Sequence, residues 1–224
     1  MGAGLQISPY EPTADFWSDG AEKQRWIGLP DGQNIGIDAE GDWDFPNGTV
    51  LEKNFRLDNR LVETRLFMRH PDGIWGGYGY EWNAEQADAT LVRGGKQVKV
   101  GAHTWVYPSE SQCTQSHTPA AGHSLGLETR QLASAITYPQ TNRTANQLVT
   151  LNAINTLAPP IANPAAETAS PKPTGAADTL TERVLICAPT AHSAIAPAAR
   201  RHRTWICVTR QRSQASTHAM SRHP

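Results

Sequence analysis

The sequence predicts a mainly β protein: a small antiparallel β-sandwich or jelly-roll-like domain, then a short helical segment and a disordered C-terminal tail. Three observations carry this reading. Between residues 49 and 106, strand-length apolar runs recur with Gly, Pro, Asn and Asp between them, at the roughly ten-residue spacing of small antiparallel folds. One run alternates Tyr78, Tyr80 and Trp82, which places three rings on one face of a strand. From residue 158 the composition turns to Pro, Ala and Thr, too poor in large apolar side chains to bury a core.

The elements follow in order. Residues 10–46 are dense in Trp, Gly, Asp and Pro. Pro30-Asp31-Gly32 reads as a turn, because proline presets φ and glycine accepts a positive one. A short strand is expected over 33–38, with Ile35 and Ile37 on one face, and a turn cluster over 41–48. Strands over 50–57 and 61–70 are joined by Asp58-Asn59-Arg60 as a hairpin loop. His70-Pro71-Asp72-Gly73 turns the chain into a strand over 74–83. Arg93-Gly94-Gly95-Lys96 marks another hairpin before Val98, Val100 and 104–106. A helix is expected over 144–157, where Leu148, Leu151 and Ile154 recur every three residues. The expected organisation is a β-rich domain over 9–108, a helical segment over 109–157, a Pro/Ala-rich linker over 158–183 and a tail over 184–224.

Composition bounds the function. The formal net charge of the 224 residues is −1, so no electrostatic argument points to nucleic acid. No apolar run approaches the roughly 18 residues of a membrane span. The first ten residues lack the charged and apolar regions of a signal peptide, which read literally means cytoplasm. Cys113, Cys187 and Cys207 are too few and too scattered for a disulfide scaffold or a Cys-rich zinc site. Phosphate-loop, nucleophile-elbow and zinc-protease motifs are absent, and no carboxylate pair is spaced for acid–base work, so an enzyme is not expected.

The stretch with chemistry in it is Cys113-Thr114-Gln115-Ser116-His117. With cysteine at 116 it would read Cys-x-x-Cys-His, the signature of covalent haem c attachment. There two thiols add to the haem vinyl groups and the imidazole takes an axial position on iron. Ser116 removes one thioether, since a hydroxyl does not form it. The plainer reading is a buried free cysteine beside a solvated histidine.

From about residue 184 the chain loses both helical and strand periods. The genetic code offers a reason. If each codon takes the third base of one present codon and the first two of the next, Ala191, Ala194 and Ile195 become a Cys-x-x-Cys-His. With permitted wobble bases, residues 189–209 then read N-C-A-Q-C-H-R-P-G-G-A-T-P-P-N-M-D-L-R-Y. A frame lost at a second haem motif is the expectation, and an intact frame in raw reads together with a folded tail would defeat it.

The residues around these motifs resemble a family. Phe16-Trp17-Ser18-Asp19-Gly20-Ala21-Glu22-Lys23 with Arg25-Trp26-Ile27, then Gly41-Asp42-Trp43, Glu63-Thr64-Arg65-Leu66 and Tyr78-Gly79-Tyr80-Glu81-Trp82-Asn83 carry the likeness. Trp105 through Pro108, Cys113 to His117, Leu125-Gly126-Leu127-Glu128 and Asn146-Gln147-Leu148 continue it to residue 157. In these patches the chain resembles bacterial di-haem c-type cytochrome-like proteins, often associated with quinoprotein sugar dehydrogenase-like modules. The resemblance implies electron transfer in the periplasm or cell envelope, with a dehydrogenase as redox partner. It implies haem c as cofactor, Cys113 as the thioether residue and His117 as proximal ligand of the haem iron. The segment 109–157 is then a degenerate cytochrome c-like segment, and Ser116 makes haem loading weak or absent. His103 and His123 are the candidates for a sixth ligand, with a plain surface role as the alternative for each, while Met68, on an expected strand, reads as core rather than ligand.

The aromatics offer another class of function. Trp17, Trp26, Trp43, Trp75, Tyr78, Tyr80, Trp82 and Trp105 either fill a small β core or line a face that stacks on carbohydrate or meets a protein partner.

Overall fold

The computed structural model describes residues 4–14, 18, 20–38, 42–119 and 122–170. Among these the chain is mainly β and largely antiparallel, as the sequence predicts. In chain order the strands are β1 (Leu5–Pro9), β2 (Glu22–Pro30), β3 (Ile35–Ile37), β4 (Trp43–Asp44), β5 (Val50–Leu57), β6 (Arg60–Arg69), β7 (Trp75–Trp82), β8 (Ala89–Val92), β9 (Lys96–Val100) and β10 (His103–Tyr107). Helix α1 (Glu110–Ser116) follows, then β11 (Ala135–Tyr138), β12 (Arg143–Asn146), α2 (Gln147–Ala153) and β13 (Leu157–Ala158).

Six strands form the main sheet in the order β1-β2-β5-β6-β7-β8. The β5–β6 hairpin closes through two residues, Asp58 (φ 49°) and Asn59 (φ 60°), with Leu57 opposite Arg60. Asp and Asn tolerate the left-handed region, and two such residues give the turn whose twist suits a hairpin. The hairpins β9–β10 and β11–β12 stand apart from this sheet, and β3 pairs with β4 and, in parallel, with β13.

Register sorts the side chains onto two faces, because residues directly opposite across strands point the same way. Ile27, Leu51, Phe67 and Gly77 form one level. This level opens into a core with Ile35, Trp43, Phe45, Trp75, Leu127, Leu132, Leu148, Leu151 and Leu157. A second core joins Phe55, Leu57, Val62 and Val92 to Trp105 and Tyr107 of β10. Between the two cores lies the level of Arg25, Lys53, Arg65 and Gly79. Leu127, Leu132, Leu148, Leu151 and Leu157 therefore bury against the sheet, and the boundary read at residue 108 does not separate two cores.

Two further expectations are corrected. The helix expected over 144–157 is shorter. Residues 143–146 pair with β11, and Asn146 caps α2 by accepting from the Leu148 and Val149 amides at 2.9 and 3.2 Å. Helix and strand periods overlap in so short a run, and the cap decides the boundary. The linker expected over 158–183 is folded as far as Ser170. Asn152 brackets Ile161, donating to its carbonyl at 2.8 Å and accepting from its amide at 3.1 Å. Ile161 and Ala169 pack on the first core. Composition alone missed these side chain–backbone bonds. Residues 171–183 of that linker, and the tail over 184–224 with its frame reading, lie outside the described residues.

Candidate functional site

Helix α1 starts where the sequence supplies a cap. The Ser109 hydroxyl accepts from the Gln112 amide at 3.3 Å, and the Gln112 side chain accepts from the Ser109 amide at 2.8 Å. This is a reciprocal capping box. Its own amide and that of Gly94 hold the Glu110 carboxyl below the usual carboxylate range. The helix closes at His117, whose amide donates to the Cys113 carbonyl at 3.0 Å. Cys113 and Ser116 stand three residues apart and so share a face. Cys113, Ser116 and His117 are all half-buried, while Gln112, Thr114 and Gln115 are exposed. The Ser116 hydroxyl thus occupies the face on which a second thiol would sit.

That face rests on β7. A Cβ placed on Gly77 would come 2.5 Å from the Cys113 Cβ and 2.7 Å from its Sγ. Only glycine permits this approach. Burial pushes the Cys113 thiol pKa up, and the nearby Arg65 guanidinium partly offsets it. At pH 7 the group is a thiol, not a thiolate.

The His117 ring lies on Phe67, with centroids 4.2 Å apart, and Phe67 stacks on Trp75 at 4.9 Å and 11°. His117 Nδ1 is 2.6 Å from the His123 carbonyl oxygen. In return His123 Nδ1 is 3.2 Å from the His117 carbonyl, and the His123 ring stacks on Trp75 at 6.0 Å. Burial holds the His117 pKa down to about 4, against the pull of the His123 carbonyl, with Lys53 and Arg65 also lowering it. The imidazole is therefore neutral at pH 7. A carbonyl only accepts, so the proton sits on Nδ1 and the lone pair on Nε2. Metal-ligating histidines are commonly oriented by such a bond from the second nitrogen.

Glu63 anchors the floor. It is fully buried and accepts two 2.8 Å bonds from Arg65 and one of 3.0 Å from the Trp105 indole. Beside His123 opens a cavity of about 250 Å³ lined by Asp38, Asp42, Asp44, Trp43, Trp75 and Arg69 among others.

Of the residues singled out by sequence, the fold brings Cys113, Ser116, His117 and His123 together. Met68 lies on the opposite face of the sheet, level with Val50 and Gly76, and His103 is exposed at the start of β10. Neither adjoins His117. Trp43, Trp75 and Trp105 are buried in the cores, and Trp17 lies outside the described residues. Sequence reasoning passed over Gly77, Phe67 and Arg65. The run Gly76-Gly77-Tyr78-Gly79 was the available signal, since glycines inside a strand mark close approach by another backbone.

The donors suit a haem: one thiol, one imidazole with its tautomer set, and cationic Arg65 nearby. The closed packing does not yet make room for one, because Cys113 lies on Gly77 and His117 on Phe67. Among the described residues no group of three or more His, Cys, Asp or Glu is gathered for a bare metal ion, and no helix is long and apolar enough to cross a membrane. In comparisons with known proteins, no protein-family model, curated protein or solved structure matches the chain.

Proposed function

We propose that this chain is a c-type cytochrome-like electron-transfer protein of the cell envelope, with Cys113–His117 as a degenerate haem-attachment segment. The observation that carries the proposal is the His117 imidazole. It is held neutral, its Nδ1–H is tied to the His123 carbonyl, and Nε2 is left as the donor, one turn from the Cys113 thiol. A bound haem would supply one-electron chemistry. Of this chain's own residues, Cys113 would hold the haem covalently and His117 would face its iron, and the contacts of Cys113 with Gly77 and of His117 with Phe67 would have to open to admit it. Ser116 withholds the second attachment, so loading is weak. The family resemblance of the sequence is what supports a quinoprotein-like dehydrogenase as the redox partner in this reading.

The test is a pyridine haemochrome spectrum of the chain exported in a host with a c-type maturation system. A reduced α-band displaced from the two-thioether position is the result expected if Cys113 alone attaches haem. If no Soret band develops, Ser116→Cys should bring one up. A Ser116→Cys protein that folds and stays colourless would end the cytochrome reading.

A further inference from the structure

We propose that the face of the main sheet left uncovered by the described elements binds a neutral polysaccharide. The packed elements lie on the other side: α1 on Gly77, α2 in the first core, and Trp105 of β10 against Phe55. Register puts Trp26, Tyr78, Tyr80 and Trp82 together on the open side, where all four are half-buried. Ile7, opposite Gly28 on that side, is 60% exposed.

The rings are laid along the sheet. A Cβ on Gly76 would meet the Tyr78 Oη at 2.9 Å and a ring carbon at 3.2 Å, so the Tyr78 ring lies over the glycine. Its hydroxyl is tied to His70 Nε2 at 2.9 Å. The Trp82 indole reaches across to β6, donating to the Thr64 hydroxyl at 2.9 Å. From there a polar line runs between the rings. The Thr64 hydroxyl donates to the Asn54 side chain, and the Asn54 amide donates to Glu52 at 3.1 Å.

Flat apolar rings interleaved with amide, hydroxyl and carboxylate groups match a ligand with the same alternation. A pyranose has it, with C–H groups on its faces and hydroxyls around its edge. A purely apolar partner would desolvate the Glu52 carboxylate and the Thr64–Asn54 pair, a penalty that their bonds to one another only partly offset. A phosphate-bearing partner would meet the Glu52 carboxylate. The rings recur about 7 Å apart along β7, and Trp26 stands three strands across, roughly 14 Å away. That span exceeds a single sugar, which favours a chain.

The reading is independent of haem. It is tested by calorimetric titration of the full chain with cellohexaose, xylohexaose, chitohexaose and mannohexaose. Binding of at least one is expected, weakened about tenfold or more by Trp26→Ala and by Trp82→Ala. His103→Ala, away from this face, should leave it unchanged. Circular dichroism and the thermal midpoint establish that each variant is folded. The proposal is overturned if none of the four binds, or if binding survives both tryptophan substitutions. A dimer in sedimentation that Trp26→Ala dissociates would also overturn it, since a second copy would then cover the face.

Discussion

Replacing Gly77 by alanine tests how the thiol-bearing helix is seated. The added methyl would lie 2.5 Å from the Cys113 Cβ and 2.7 Å from Sγ, well inside the ~3.5–4 Å at which carbon atoms attract. One neighbour is the helix itself, so α1 must lift from β7. Overpacking of this kind costs about 1–3 kcal/mol. For a chain of this size that lowers the thermal midpoint by roughly 2–4 °C per kcal/mol. Cys113→Ala should not relieve the clash, because the Cβ–Cβ contact remains. Cys113→Gly should, so the double variant Gly77→Ala/Cys113→Gly is expected to lose less stability than the sum of its parts. The assay is thermal denaturation followed by circular dichroism, paired with maleimide labelling of the Cys113 thiol in the Cys187→Ala/Cys207→Ala background. Faster labelling should accompany Gly77→Ala. An unchanged midpoint with unchanged labelling would show that α1 does not rest on Gly77, and the closed site described above would fall with it.

The pH dependence of stability follows from His117. Its pKa is about 4 in the folded chain and about 6.5 when unfolded. The unfolded state thus binds more protons between these values. Full stability holds above pH 6.5 and is lost as the pH falls towards 4, by about 3 kcal/mol at most. Urea titrations across pH 4–7 should show this slope, and His117→Phe should flatten it. Glu63→Ala leaves Arg65 and the Trp105 indole without their acceptor at a fully buried position. Because the Arg65 side chain is itself 34% exposed, the main cost is the buried indole left unpaired, and a loss of about 1–3 kcal/mol in chemical denaturation is expected. A loss below about 1 kcal/mol would mean that the Trp105 indole does not depend on Glu63.

Much of the β architecture was legible locally. The hairpin at Asp58-Asn59 and the turn at Pro30-Asp31-Gly32 depend on residues that take special φ values. The alternation of Tyr78, Tyr80 and Trp82 assigned three rings to one face, and register bears it out. The capping box at Ser109 and Gln112 was equally local, yet it was not read as a helix start. The strands Leu5–Pro9 and Glu22–Pro30 were missed because their turn-rich surroundings masked a weak alternation.

The sequence by itself determined the fold class and the chemical identity of the site: a thiol, a hydroxyl and an imidazole at fixed spacing on one short helix. Tertiary structure alone decided what those groups face. The neutral tautomer of His117 depends on the His123 carbonyl six residues on, and its burial depends on Phe67. The seat of Cys113 depends on Gly77, thirty-six positions earlier in the chain. Which tryptophans are core and which line a face depends on strand register. Contacts between distant segments arise only when a sheet brings their levels together, and no local pattern of residue types encodes that distance.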